Sequence, residues 1–144
     1  MAWTQAKTDW AGGYDSAGNY TGDYFNAEDY NRIKNNIAEI RNLAVCVYPD
    51  FSLKDMGADK VVGDYIYADE INLLENNLDA LCKNTIPGLA GKKKSYYENT
   101  ATIDFAELNR IEKCCLDLWN CMMNQYLTGR YKLAFRLGTG RSVF

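Results

Sequence analysis

Apolar residues recur between residues 30 and 40 at spacings of three, four and three, with polar residues between them. This spacing places the apolar residues on one face of an α-helix. Two later segments have the same pattern. The three apolar stripes are Tyr30, Ile33, Ile37 and Ile40; Ile71, Leu74, Leu78 and Leu81; and Leu108, Ile111, Cys115 and Leu118. The pattern predicts three amphipathic helices, over about 27–47, 68–84 and 105–128.

The residues before each stripe indicate where the helices begin. Asn26 is a good N-cap, and Asp29 lies at the third helical position, where an acidic side chain completes a capping box. Phe25 precedes the cap and forms a hydrophobic staple with Tyr30. The same positions hold Ile66, Tyr67 and Glu70 in the second segment and Ile103, Asp104 and Glu107 in the third. Tyr67 departs from the pattern, because tyrosine is a poor capping residue.

An asparagine follows the first stripe residue in every copy: Asn31, Asn72 and Asn109. The copies are offset by 41 and 37 residues, which indicates an internal threefold repeat of helix starts. Asparagine is a middling helix former that bonds readily to nearby backbone. We therefore expect each amide to hold the lead-in loop of its own or an adjacent repeat, rather than to be simply a polar residue at the bundle edge.

The predicted fold is mainly α, a three-helix bundle over residues 26–129 built from the repeated capped-helix motif. Residues 1–25 read as an extended aromatic arm, with turns expected at Gly12-Gly13 and within Asp15–Asn19. The arm either packs on its own helices or inserts into a neighbour. We expect the bundle to fold without residues 1–22.

Residues 130–144 alternate in the manner of a short β-strand. Tyr131 and Phe135 share one face, Arg136 lies on the other, and no acidic residue follows Asp117, so the tail is basic. A lone strand needs a partner edge, which the arm or a neighbouring subunit would supply.

Composition adds exclusions. The 144 residues carry a net charge of −3, contain no His and include five Cys without a Cys-x-x-Cys pair. No Ser–His or Cys–His catalytic pair is available, and a zinc site or disulfide framework is not indicated. We expect no enzyme activity, no cofactor and no metal. No apolar run is long enough to span a bilayer, and the first ten residues lack the form of a signal peptide. We therefore expect no membrane partner, and a protein that stays in the compartment where it is made unless it leaves as part of something larger.

One stretch carries a resemblance. Trp10-Ala-Gly-Gly13, followed by Gly22-Asp-Tyr-Phe-Asn-Ala-Glu-Asp-Tyr-Asn-Arg-Ile-Lys-Asn-Asn-Ile37, resembles a motif of virion proteins from phages and prophages of Gram-positive bacteria. In those proteins the motif opens tail-fibre, baseplate or head-fibre subunits. The match covers about residues 3–40, and an insert at Tyr14–Thr21 departs from it. The resemblance implies a small virion component that contacts other virion subunits and is assembled in the cytoplasm of a bacterial host.

The leading hypothesis is a non-enzymatic structural subunit of a phage tail, baseplate, neck or fibre, forming a trimer or higher ring through its terminal arms. The residues expected to serve assembly or structure are Trp3, Trp10, Phe25, Asn31, Asn72, Asn109, Tyr131, Phe135 and Arg136. The alternative is a small nucleic-acid-binding or regulatory helical protein that uses Lys92–Lys94 and the basic tail. Three lysines without a wider basic field make nucleic acid the less favoured partner.

Overall fold

A computed structural model describes residues 3–91, 95–97 and 103–128. It contains three α-helices: α1, Ala27–Ala44; α2, Ala68–Asn84; and α3, Phe105–Thr128. The described residues hold no strand, only an isolated antiparallel bridge between Tyr14 and Tyr20. The prediction of a mainly helical protein with three helices is therefore confirmed.

The helices begin where their caps predict. Asn26 accepts from the N–H of Asp29, and Asp29 accepts in return from the N–H of Asn26, both at 3.2 Å. Glu70 accepts from the N–H of Tyr67 at 2.9 Å, which supplies the glutamate half of the box at the start of α2. Asp104 accepts from the N–H of Glu107 at 2.8 Å. These bonds satisfy backbone donors that a helix start leaves unpaired.

The end of α1 differs slightly from the prediction. The helix ends at Ala44 rather than 47, because the next backbone bonds tighten to a spacing of three residues. The N–H of Cys46 donates to Leu43 and that of Val47 to Ala44. A closing turn of this kind is common at helix ends.

The three stripes meet to form the core. All twelve stripe residues are buried, together with Ala44, Cys114 and Met122 from the same helices. The first turns of all three helices, at Ala27, Ala68 and Phe105, border one cleft. The helices therefore run in the same direction, and each connection must return along the bundle.

The connection after α1 shows how this return is made. Arg41, near the end of α1, donates to the carbonyl of Phe51 at 2.8 Å. Lys54 is bound by Asn77 of α2, and Lys60 by Asn31 near the start of α1. Residues 51–60 therefore run antiparallel to α1, in the groove between α1 and α2.

The aromatic arm packs on its own helices, which decides between the two alternatives for it. Trp10 is only 4% exposed, and its ring stacks on Phe105 of α3. Trp3 stacks on Trp119 of α3 with ring centroids 4.9 Å apart. The predicted turn within Asp15–Asn19 is present, whereas Gly12-Gly13 is extended rather than turned. The arm is thus part of the folded body.

Several predictions fall on other parts of the chain. The strand-like tail with Tyr131, Phe135 and Arg136 lies outside the described residues, as does Lys92–Lys94. The nucleic-acid alternative depends on these segments and stays a prediction.

Candidate functional site: an aromatic cleft above three filled grooves

The repeated asparagines each hold an extended segment by two hydrogen bonds. Asn31 accepts from the N–H of Lys60 and donates to its carbonyl, both at 2.8 Å. Asn72 does the same with Tyr96, at 2.7 Å in both directions. Asn109 accepts from the N–H of Trp10 at 2.8 Å and donates to its carbonyl at 3.0 Å. In every case the amide completes the hydrogen bonding of a backbone that a strand partner would otherwise pair.

The order of these contacts is cyclic. The helix start at Asn31 holds the segment before α2, and that at Asn72 holds the segment before α3. Asn109 then holds the segment before α1. Each amide therefore holds the segment before a different helix, not the segment before its own. The N-terminal segment closes the ring by filling the groove between α1 and α3.

A second pair of asparagines, five residues further along α1 and α2, holds two of these segments again. Asn36 bonds the N–H and carbonyl of Thr4 at 3.0 and 2.8 Å. Asn77 bonds those of Lys54 at 3.0 and 2.9 Å. The aligned position in α3 is Cys114, whose thiol instead lies 3.7 Å from that of Cys82. Sequence analysis missed this second set, although Asn36 and Asn77 share the 41-residue offset.

Buried ion pairs lock two of the grooves. Glu112, 1% exposed, accepts from Arg32 of α1 at 2.6 Å and from the indole N–H of Trp10 at 2.6 Å. Glu75, 2% exposed, accepts from Arg110 of α3 at 2.5 Å. Burial raises the pKa of the Glu75 carboxyl, and Arg110 opposes that rise. Both carboxylates are therefore engaged in contacts that hold the helices together.

The groove between α1 and α2 is built differently. Lys34 stands at the aligned position of Glu75 and Glu112, and it donates to the carbonyl of Gly57 at 3.1 Å. Lys34 also pairs with Asp59 of the segment that fills the groove. The aligned position of the two arginines is Leu73. The ion pair therefore joins a helix to a segment here, rather than one helix to another.

The described part of the chain has no cluster of metal ligands: its His, Cys, Asp and Glu residues include no group of three or more that could hold a metal ion. Its thiols differ in acidity: the hydrogen bond with Cys114 lowers the pKa of the Cys82 thiol. Burial raises the pKa of the Cys115 thiol, which disfavours the thiolate needed for nucleophilic attack. None of the helices described is long and apolar enough to cross a bilayer.

Above the grooves lies an open cleft of about 940 Å³ at the end where the three helices begin. We call it the aromatic cleft. Its walls include Tyr24, Val62, Tyr65, Tyr67, Tyr97 and Phe105. Val62 is 98% exposed and Tyr65 76% exposed, while the stripe residues just below are buried. Clustered exposed apolar side chains of this kind mark interaction sites.

The cleft is acidic as well as aromatic. Asp23, Glu28 and Asp64 line it, and none of its described lining residues is Lys or Arg. Asp23 accepts from the N–H of Ala11 at 2.9 Å and Asp64 from that of Val61 at 2.9 Å. Backbone bonds therefore hold both carboxylates in place, and Lys7 also pairs with Asp23 at 3.6 Å.

The structure separates the predicted site residues into two groups. Trp3, Trp10, Asn31, Asn72 and Asn109 serve the grooves inside the chain. Phe25 packs edge-on against Trp10 at 5.9 Å and also lines the cleft. Sequence analysis missed the cleft tyrosines. The available signal was the pair Tyr24 and Tyr65, which occupy the same position before two aligned helix starts.

Comparison with known proteins gives no further information on identity: no protein-family model, curated protein or solved structure matches the chain.

Proposed function

We propose that the protein is a non-enzymatic structural subunit of a phage particle, in a tail, baseplate, neck or fibre. One observation carries the proposal. The segment that resembles a virion attachment motif supplies one wall of the aromatic cleft, through Tyr24, Phe25 and Glu28. The residues that suggest attachment to a particle and the exposed apolar surface thus coincide.

The proposal changes the expected mode of assembly. An arm whose Trp10 is buried against α1 and α3 is committed within its own chain, because withdrawing it would expose Glu112 and empty a groove. We therefore assign the contact with neighbouring virion subunits to the aromatic cleft rather than to the N-terminal arm. The basic tail keeps the part in assembly that the sequence suggests for it.

We further infer that the chain is an internal threefold repeat. The support is the same two-bond contact at Asn31, Asn72 and Asn109, made at aligned positions of three helices. The second asparagine set and the two Arg–Glu pairs follow the same offsets. A single chain with three like-built sides suits a position on or near a threefold axis of a particle.

Purified particles from the host provide the test. We expect the protein to co-sediment with phage particles through a density gradient and to remain after nuclease treatment and a high-salt wash. Its absence from particles would contradict the proposal. Retention on a DNA or RNA column at low salt but not at high salt, together with that absence, would favour the nucleic-acid alternative.

A further inference from the structure

We propose that the aromatic cleft of one copy binds the C-terminal tail, residues 130–144, of a second copy, so that copies join head to tail. The inference rests on the part of the proposed function that makes the cleft an assembly surface. It adds the identity of the occupant. It does not depend on where in a particle the assembly lies.

The chemistry of the cleft defines what it binds. Its walls offer aromatic faces, with Asp23, Glu28 and Asp64 at the rim and no basic residue among the described lining. Glu28 is exposed in the first turn of α1. Lys7 already pairs with Asp23 at 3.6 Å, so a purely apolar occupant would leave Glu28 and Asp64 without counter-charge. An occupant that alternates apolar and basic side chains satisfies both the aromatic walls and these two carboxylates.

The chain contains a segment with that composition. In residues 130–137 Tyr131, Leu133, Phe135 and Leu137 alternate with basic or small residues, and the tail as a whole holds Arg130, Lys132, Arg136 and Arg141 with no acid. Arginine also stacks on tyrosine faces, which adds to the attraction between opposite charges. The tail therefore complements the cleft in both polarity and charge.

Geometry places the contact between two chains. The tail follows Thr128, at the end of α3 opposite the cleft. A helix of 24 residues is about 36 Å long at 1.5 Å per residue. To return that distance in its own chain, the tail would use about eleven extended residues, at roughly 3.3 Å each. Those eleven include all four alternating apolar residues.

The grooves give the tail no buried route back. Residues 4–10 occupy the α1–α3 groove, and residues 54–60 occupy the α1–α2 groove. Ala90 and Tyr96 are buried beside α2 and α3 in the remaining groove. A second copy stacked end to end instead presents its tail directly to the cleft. Such a heterologous contact repeats from copy to copy, and it builds an open stack unless the rotation closes a ring.

Photo-crosslinking of the full chain tests this contact. A benzophenone amino acid replaces Tyr65, and equal amounts of ¹⁴N- and ¹⁵N-labelled protein are mixed before illumination. Mass spectrometry then identifies the crosslinked peptides. We expect peptides that join position 65 to residues 130–144 and that contain both labels. Crosslinks confined to a single label would place the tail in its own cleft and overturn the proposal, as would the absence of any crosslink to the tail.

Matched variants of the full chain provide a second readout by light scattering over a concentration series. We expect the apparent dissociation constant of self-association to rise at least tenfold in Val62→Ser/Tyr65→Ser and in Arg130→Glu/Arg136→Glu, and to rise with added salt. Val61→Ser removes an exposed valine that does not line the cleft, and it should have no effect. A monomer at every concentration, or equal association in all variants, would overturn the inference.

The outcomes remain separate from those of the particle experiment. Protein that co-sediments with particles but does not crosslink through its tail contradicts only the head-to-tail contact. Protein that crosslinks as expected but is absent from particles contradicts only the virion assignment.

Discussion

The grooves and the aromatic cleft are built from the same lead-in segments, yet aromatic side chains are buried in the grooves and exposed in the cleft. In the grooves Trp10 and Tyr96 are buried, and their backbone groups are bonded by Asn109 and Asn72. In the segment before α2, Val62 and Tyr65 follow the groove residue Lys60 within five positions and are exposed to solvent. The cleft thus gathers several exposed apolar side chains at one end, although Tyr126 and Leu127 are also exposed at the other end of α3.

Polar groups show the same contrast. Glu112 and Glu75 are buried in the grooves with arginine partners. The cleft carries Glu28 and Asp64 with no basic residue among its described lining, and its Asp23 pairs with Lys7 from outside the cleft. Substitutions in a groove should therefore lower the free energy of unfolding, and substitutions in the cleft should weaken self-association. The following predictions test that division in order of expected effect.

Deletion of residues 1–22 should have the largest effect. Sequence analysis expects a folded bundle, but the structure revises this, because the deletion empties the α1–α3 groove and leaves Glu112 and Arg32 facing water at an apolar interface. We expect loss of cooperative unfolding or an insoluble chain, measured by circular dichroism on heating. A truncated chain that unfolds cooperatively near the wild-type temperature would contradict the groove account.

Trp10→Ala in the full chain tests the contribution of the buried Trp10 side chain to the groove, apart from the other residues that the deletion removes. Removal of a buried tryptophan should lower the free energy of unfolding by about 3–5 kcal/mol, measured by urea denaturation. Tyr24→Ala, in the cleft wall, is the control and should change it by less than about 0.5 kcal/mol. Equal losses in the two variants would erase the distinction between groove and cleft.

Asn109→Ala should have an intermediate effect. It leaves the N–H and carbonyl of Trp10 without their partner, so we expect a loss of about 2–3 kcal/mol in the same measurement. Asn124→Ala, on an exposed position of the same helix, is the matched control. A loss no larger than that of the control would show that the amide does not hold the segment.

Glu75→Gln should have the smallest effect on the grooves and a characteristic pH dependence. Because burial raises the folded-state pKa of Glu75, its contribution to stability is complete below the ordinary carboxyl pKa and is lost as pH rises through the raised value. The loss of unfolding free energy in the variant, relative to the wild type, should therefore be smaller at pH 7 than at pH 4. The opposite trend in denaturation midpoints would mean that pairing with Arg110 outweighs burial.

Much of the body could be predicted from local sequence. The stripes from Tyr30 to Leu118 and the caps at Asn26 and Asp104 depend on residues within one turn of each other, so spacing alone reveals them. The recurrence of Asn31, Asn72 and Asn109 also indicated a backbone contact, because an amide in a helix needs a reason to recur.

The remaining features depend on contacts that spacing does not report. Trp10 meets Asn109 across 99 positions of sequence, and Arg32 meets Glu112 across 80. The local sequence of the arm does not distinguish packing on its own helices from insertion into a neighbouring subunit. The cleft arises only because parallel helices bring three lead-in segments to one end of the bundle. The apolar stripe of a single helix does not indicate the direction of that helix relative to the others.

The most direct test of the account compares stability and association in one variant, Val62→Ser/Tyr65→Ser. We predict a free energy of unfolding within about 0.5 kcal/mol of the wild type, because neither side chain is buried. We also predict at least a tenfold loss of self-association by light scattering. A variant that unfolds more readily, or one that associates as strongly as the wild type, would contradict the assignment of the cleft as the assembly surface.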